Sequence, residues 1–359
     1  MKLKNIQREF FVITTIINEA ENEAAIDAIA RVHERIGNVV LLEVRRNLSR
    51  KQTSIVVAAH LESIQQYVQR TIKQAQQALD PDGISAESPT PGIIDSITII
   101  PLLITNLPMA ALLVNDVARK IATRFKMPIF YFGHNASDPQ RQKLQYFRQF
   151  PHTAFKDPRA VPADLGNSFQ KNPMGGILMG SRLYYLTFAI FLDSEEIHMV
   201  QEFLKAYTDY SGLTEAEKEI KNHALQKIKL RKMHILQHVK TMVGLLPDID
   251  VIRVLCKIQD YQKAPLFSVY DLFDKSFKRL GIEIMGMQIL GYIPMEPLVL
   301  SGRHYFKGKT LRLMDDLRFL TFALNHFRTD VVEPFDKDLQ IIEWRINQLL
   351  KPGEESIVR

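Results

Sequence analysis

Cysteine is almost missing from this chain: Cys256 is its single thiol in 359 residues. An internal disulfide is therefore excluded, and the apolar neighbours Val254 and Leu255 mark a buried strand thiol rather than a nucleophile. Long apolar runs are missing too. The longest candidates, Phe10 to Ile17, Ile97 to Ile104 and Tyr184 to Leu192, fall well short of the roughly 20 residues needed to cross a bilayer. A one-sided charge is also lacking, since 46 Lys and Arg face 40 Asp and Glu, a formal net charge of +6. Such a mild excess suits anionic small ligands without demanding nucleic acid.

What is present is ordinary globular composition, 46% hydrophobic and 24% charged, with nothing that reads as disordered. A chain of this length is long for one core, so two domains are expected. Lys2, Lys4 and Arg8 before Phe10 imitate a signal peptide, but Asn18, Glu19 and Glu21 follow at once and no small-residue cleavage site appears. That segment reads as a first strand, and the chain as a cytoplasmic protein without membrane or nucleic-acid partners.

The β-branched run Phe10 to Ile17 gives way to helical spacing at Ile26, Ile29, Ala30 and His33. Val39 to Val44 and Thr53 to Val57 then read as a hairpin. Leu61, Ile64, Val68 and Ile72 mark a second helix that ends before Asp80-Pro81-Asp82-Gly83. Beyond a loop, Ile94 to Leu103 reads as a strand, Met109 to Phe125 as a helix and Pro128 to Phe132 as a strand. Gly133 to Gly180 shows little periodicity and carries Pro139, Pro151, Pro158, Pro162 and Pro173. Such a stretch suits a domain junction or a binding loop.

The second half repeats the theme: strand at Leu183 to Phe191, helix at Ser194 to Tyr210, and a charged helix from Thr214 to about Val243. Thr214 and Glu217 form a capping-box start for that helix. Strand Val251 to Ile258, helix Pro265 to Leu280, strand Ile282 to Tyr292 and a helical tail from Asp336 to Leu350 complete it. The fold class is α+β, as two consecutive α/β sandwiches over residues 1–181 and 182–351. In the charged helix Lys221, Lys227, Lys229, Arg231, Lys232 and Lys240 accompany the apolar stripe Leu225, Ile228, Ile235 and Leu236. The lysines thus read as a solvated face rather than a surface for nucleic acid or anionic lipid.

Histidines form no metal set. His234 and His238 are four apart on one helix, but no third ligand is in reach by sequence. His60 and His134 each follow a strand, where a solvated or capping imidazole is the plain reading. His152 and His304 show no partner pattern.

Three blocks carry a family resemblance. They are Glu87-Ser88-Pro89-Thr90-Pro91-Gly92-Ile93-Ile94-Asp95, Gly166-Asn167-Ser168-Phe169-Gln170-Lys171-Asn172-Pro173-Met174-Gly175, and Gly286-Met287-Gln288 running to Gly291 and Pro294 after Asp260-Tyr261. Their order and spacing resemble the glutamate formimidoyltransferase (formiminotransferase) family over nearly the whole chain. That resemblance implies two subdomains with a cleft between them, tetrahydrofolate as the bound one-carbon acceptor, a glutamate-type donor and a homodimer. It implies that Gly166 to Gly175 is the folate segment, although a Gly-rich interdomain linker would have the same composition.

In the first block the family pattern is His-Pro-Arg-x-Gly-x-x-Asp. Pro89, Gly92 and Asp95 match it, while Ser88 stands where the resemblance implies the catalytic His, and Thr90 where it implies Arg. Formimidoyl transfer needs a group that shuttles a proton between two amines, which an imidazole does near neutrality. A serine hydroxyl does not, unless a base adjoins it. If chemistry persists, Ser88, Glu87 and His134 are the candidate catalytic residues, without a metal. Otherwise the chain is a non-catalytic folate-binding or protein-interaction member. Several other polar positions depart from the family pattern together: only Glu19 remains after the first strand, and Arg45, Lys51, Gln52 and Lys257 replace family residues.

Overall fold

The computed structural model describes residues 3–166, 172–211, 235–246, 251–308 and 315–350. It falls into two compact units, residues 1–182 with 345–359, and residues 183–344.

The first unit opens with a short helix α1 (Leu3–Glu9), then β1 (Phe10–Ile17), α2 (Glu23–Ala30), β2 (Val39–Asn47), β3 (Gln52–His60), α3 (Ile64–Ala78), β4 (Ile94–Pro101), α4 (Leu107–Arg124), β5 (Ile129–Gly133), α5 (Leu144–Phe147) and β6 (Ile177–Ser181). Six strands form one sheet in the order β2-β3-β1-β4-β6-β5. β1 pairs antiparallel with β3 and β4, whereas β4, β6 and β5 run parallel. Apolar residues at every second position of β1 (Phe11, Ile13, Ile17) meet Ile26, Ile29, Tyr67, Val68, Ile72, Val114 and Val117 in one core, which puts α2, α3 and α4 on one face. The opposite face carries a smaller core in which Phe147, Phe155 and Val161 cover Phe130, Phe132 and Leu178. The aperiodic stretch after β5 is thus folded down by its aromatics.

The second unit holds β7 (Leu186–Asp193), α6 (Ile197–Ser211), β8 (Val239–Leu246), β9 (Val251–Ile258), α7 (Leu266–Arg279), β10 (Glu283–Ile289), α8 (Met295–Tyr305), α9 (Asp316–Phe327) and α10 (Lys337–Gln340). The final helix α11 (Ile342–Leu349) runs across the division into the first unit. β7 to β10 make an antiparallel sheet in the order β10-β7-β9-β8. Helices α6 and α7 meet through Phe203 and Phe277. α8 begins at Pro294, where the fully buried Glu343 carboxylate accepts the Met295 N–H at 3.0 Å and satisfies a helix-start donor.

Two local expectations are corrected. Residues 239–243, read as the end of a charged helix, form β8 because Val239 to Leu246 find a complete antiparallel ladder on β9; Thr214 to His234 lie outside the described residues. The helical tail breaks into α10 and α11 at Ile341, which bridges to Ile293 instead. β6, α8 and α9 had no clear periodic signal. No helix of the described residues is long and apolar enough to cross a membrane.

Candidate functional site

The loop from Ser85 to Ile93 is held at the start of β4 by partners that lie far away in sequence. Asn18, just past β1, donates from Nδ2 to Thr90 Oγ1 (2.8 Å) and to the Gly92 carbonyl (2.7 Å). Its Oδ1 accepts from Gln52 Nε2 at 2.9 Å. From the other side Arg148 donates to the Pro89 carbonyl (2.7 Å) and, through two nitrogens, to both oxygens of Asp95 at 2.6 Å. The Asp95 side chain is fully buried. A break in register explains why it points there: Ile16 faces Ser96 while Ile17 faces Ile94, so Asp95 is the extra residue of a bulge. A bulge re-aims one side chain without disrupting the rest of the strand. Burial alone would lower the Arg148 guanidinium, but its bonds to Asp95 and the opposite charge hold it above its ordinary value.

His152 completes the ring. It starts a short 3₁₀ turn, His152–Lys156, behind Pro151, and its Nδ1 lies 2.9 Å from the Thr90 carbonyl. A carbonyl oxygen only accepts, so Nδ1 carries the proton and the neutral ring keeps its lone pair on Nε2. Desolvation pushes this imidazole below its ordinary value, and nearby Lys156 adds to that. The Thr90 bond opposes both. The ring is therefore neutral near pH 7. On the Asn18 side the Glu19 carboxylate accepts the N–H groups of Ala20, Glu21 and Asn22 at 2.8 to 3.0 Å. Burial alone would raise it, but these donors and the charge of Lys51 keep it below the usual carboxylate range.

Two glycines let the loop reach the end of the segment Gly166 to Gly175, just before β6. A Cβ on Gly92 would stand 2.3 Å from the Met174 carbonyl and 2.4 Å from that of Gly176, and Gly175 has φ +73°. Gly92 and Gly175 pair as an isolated bridge, and Gly176 N–H donates to the Pro91 carbonyl at 2.9 Å. The close approach that these glycines permit is backbone against backbone.

Residues 12–182 match the model of the formiminotransferase domain, N-terminal subdomain, and residues 214–347 match that of the formiminotransferase domain. The chain belongs to the formiminotransferase family. It is 23% identical over 335 residues to the formimidoyltransferase-cyclodeaminase of Mus musculus, covering 92% of this chain and 58% of that relative. It is 21% identical over 295 residues to the glutamate formimidoyltransferase of Streptococcus pyogenes serotype M1, covering 81% of this chain and 91% of the relative. The glutamate formimidoyltransferase of Thermoplasma acidophilum is 21% identical over 242 residues, with 66% and 72% covered. The chain therefore spans little more than half the length of the bifunctional relative.

Within this formiminotransferase chain the three expected catalytic residues do not converge. Ser88 is half-buried, its Oγ without a partner among the described residues, and Glu87 is exposed. His134 is exposed beyond the far end of β5, where its N–H donates to Ser181. The loop carrying Ser88 precedes the first residue of β4, and β4, β6 and β5 are parallel, so Ser88 and His134 stand at opposite ends of the strands. His134 is thereby removed as a base for Ser88.

Of the folate-like segment, Asn167, Ser168, Phe169, Gln170 and Lys171 lie outside the described residues. Gly166 is exposed with φ +78°. Asn172 donates to the Phe125 carbonyl (2.6 Å) and accepts from Met174 N–H (2.9 Å), which anchors the segment. Met174 is corrected from ligand contact to core, because it is 2% exposed among the apolar residues under α4. Pro173 is exposed and Gly175 half-buried. In the second unit Gln288, from the third resemblance block, donates to Glu333 (2.6 Å) and lines a recess of about 200 Å³ with Phe335, Asp336 and Gln340. The described residues hold no group of three or more His, Cys, Asp or Glu placed for a metal.

Sequence reasoning missed Arg148 and His152. Both sit in the aperiodic stretch, and only the burial of Phe147 and Phe155 against the sheet carries them to the loop. The recurrence of Phe147, Phe150 and Phe155 was the available signal.

Proposed function

We propose that this chain transfers a formimidoyl group between glutamate and tetrahydrofolate, at a centre built on the loop around Ser88. What supports this reading is one observation: Pro89 and Gly92 of the loop and Asp95 at the start of β4, the residues in register with the family pattern, are held by Asn18 and Arg148, and the intervening Thr90 by His152. A polar ring of this kind keeps backbone carbonyls and N–H groups in fixed directions, which is what positioning two amines for transfer requires. The remodelling expected at Ser88 concerns proton handling and leaves this clamp in place. Folate recognition falls to the segment Gly166 to Gly175, and the glutamate-type donor would meet a mildly basic protein. Cytoplasmic residence and a homodimer belong to the same reading.

The test uses the full chain with N-formimidoyl-L-glutamate and tetrahydrofolate, following formation of the formimidoylated folate. A rate well above the buffer blank supports the proposal, and a rate equal to the blank overturns it. A second reading is a member that binds folate without turnover, favoured by the separation of Ser88 from His134. It predicts saturable tetrahydrofolate binding by calorimetry with no product. Ser88→His gaining activity from a silent parent would show that only the base had been lost.

A further inference from the structure

We propose that His152 is the proton-transfer group of this centre, acting through Nε2 in place of the imidazole that the chain lacks at position 88. This inference rests on the transfer reading above and names the residue that performs its proton step. Its Nδ1 is committed to the Thr90 carbonyl at 2.9 Å, two residues from Ser88, and Thr90 N–H in turn donates to the Ser88 carbonyl at 2.8 Å. His152 is 7% exposed as a residue. Nε2 has no partner among the described residues and is not one of their fully enclosed unpaired atoms, so it keeps an edge in contact with solvent. A buried imidazole with one nitrogen tied down and the other left open has a fixed tautomer and one working lone pair. A histidine kept only to brace the loop would need Nδ1 and nothing more.

The step balances without another reactant. As N5 of tetrahydrofolate forms its bond to the formimidoyl carbon, the N5 proton passes to Nε2. As the bond from that carbon to the glutamate nitrogen breaks, Nε2 returns the proton to the departing amine. Desolvation, with the charge of Lys156, leaves the ring neutral at the start. Lys156 lies on its own turn, Glu87 is exposed on the facing loop, and Arg148 is closed on Asp95 beside Pro89.

The experiment compares wild type with His152→Asn and His152→Gln in the full chain. Asn places its amide nitrogen where Nδ1 stands and keeps the donor to Thr90, but it has no lone pair at the Nε2 position. The expected result is a loss of kcat of roughly 100-fold or more, with KM changed by less than about twofold. Partial rescue of His152→Asn by added imidazole is also expected, together with disappearance of the acid limb of the wild-type pH profile below the ordinary histidine value. Activity retained in His152→Asn overturns this inference alone and leaves the transfer reading standing. A loss that follows a lower melting temperature, without imidazole rescue, assigns His152 to bracing the loop and also overturns it. A wild type without turnover overturns both.

Discussion

Replacing Arg148 by methionine is the sharpest test of how the loop at the centre is held. Asp95 is 0% exposed, and Arg148 supplies the only side-chain bonds to its carboxylate among the described residues, both at 2.6 Å. Removing one member of a buried pair leaves an uncompensated charge and costs about 3–5 kcal/mol. Arg148 keeps 24% of its own side chain in solvent, so the lower end applies, about 3 kcal/mol. For a unit of this size that lowers its melting temperature by about 6–12 °C. Differential scanning calorimetry reads the shift, and hydrogen exchange at residues 86–95 locates it, since the Pro89 carbonyl loses its donor as well. The double variant Asp95→Leu with Arg148→Met removes the stranded charge and should recover much of the loss. A shift in Arg148→Met of less than about 1 kcal/mol would show that the pair behaves like a surface ion pair and would refute the reasoning.

Four further outcomes follow from the same geometry. Gly92→Ala drives a Cβ into two backbone carbonyls and should cost roughly 3 kcal/mol in urea unfolding, with the bridge to Gly175 lost to exchange. Asn18→Ala removes donors to Thr90 and Gly92 and should cost about 1–2 kcal/mol by the same assay. The folded His152 lies below the ordinary histidine value of 6.5, so between the two the unfolded chain binds more protons. Unfolding free energy should therefore fall as pH drops through 6.5, a step that His152→Asn flattens in urea midpoints taken at about pH 7.5 and about pH 5.5. Burial pushes the Cys256 thiol far up, so a thiol reagent should leave the native protein unlabelled and react once it is denatured.

Much of the strand-helix order was legible from local pattern. Phe10–Ile17 and Val251–Ile258 are β-branched runs whose ends coincide with the observed strands, because burial on a pleated face selects such residues directly. Residues 239–243 were not legible. Val239 and Val243 satisfy a helical spacing as well as a strand, and the ladder on β9 chose between them.

The candidate site divides the same way. The spacing of Pro89, Gly92 and Asp95 pointed to this loop through the family resemblance, which implied an imidazole at the position that Ser88 holds. It also placed the chain in its family, since a pattern of residue types along one chain is what sequence records. Tertiary structure decided which groups surround that loop. Asn18, Arg148 and His152 lie 53 to 74 residues from the partners they bond at Thr90, Gly92 and Asp95, and the pairing of β1 with β4, the bulge at Asp95 and the packing of Phe147 and Phe155 bring them together. The same folding separated Ser88 from His134, because parallel strands set their two ends apart and no local pattern says at which end a histidine will stand.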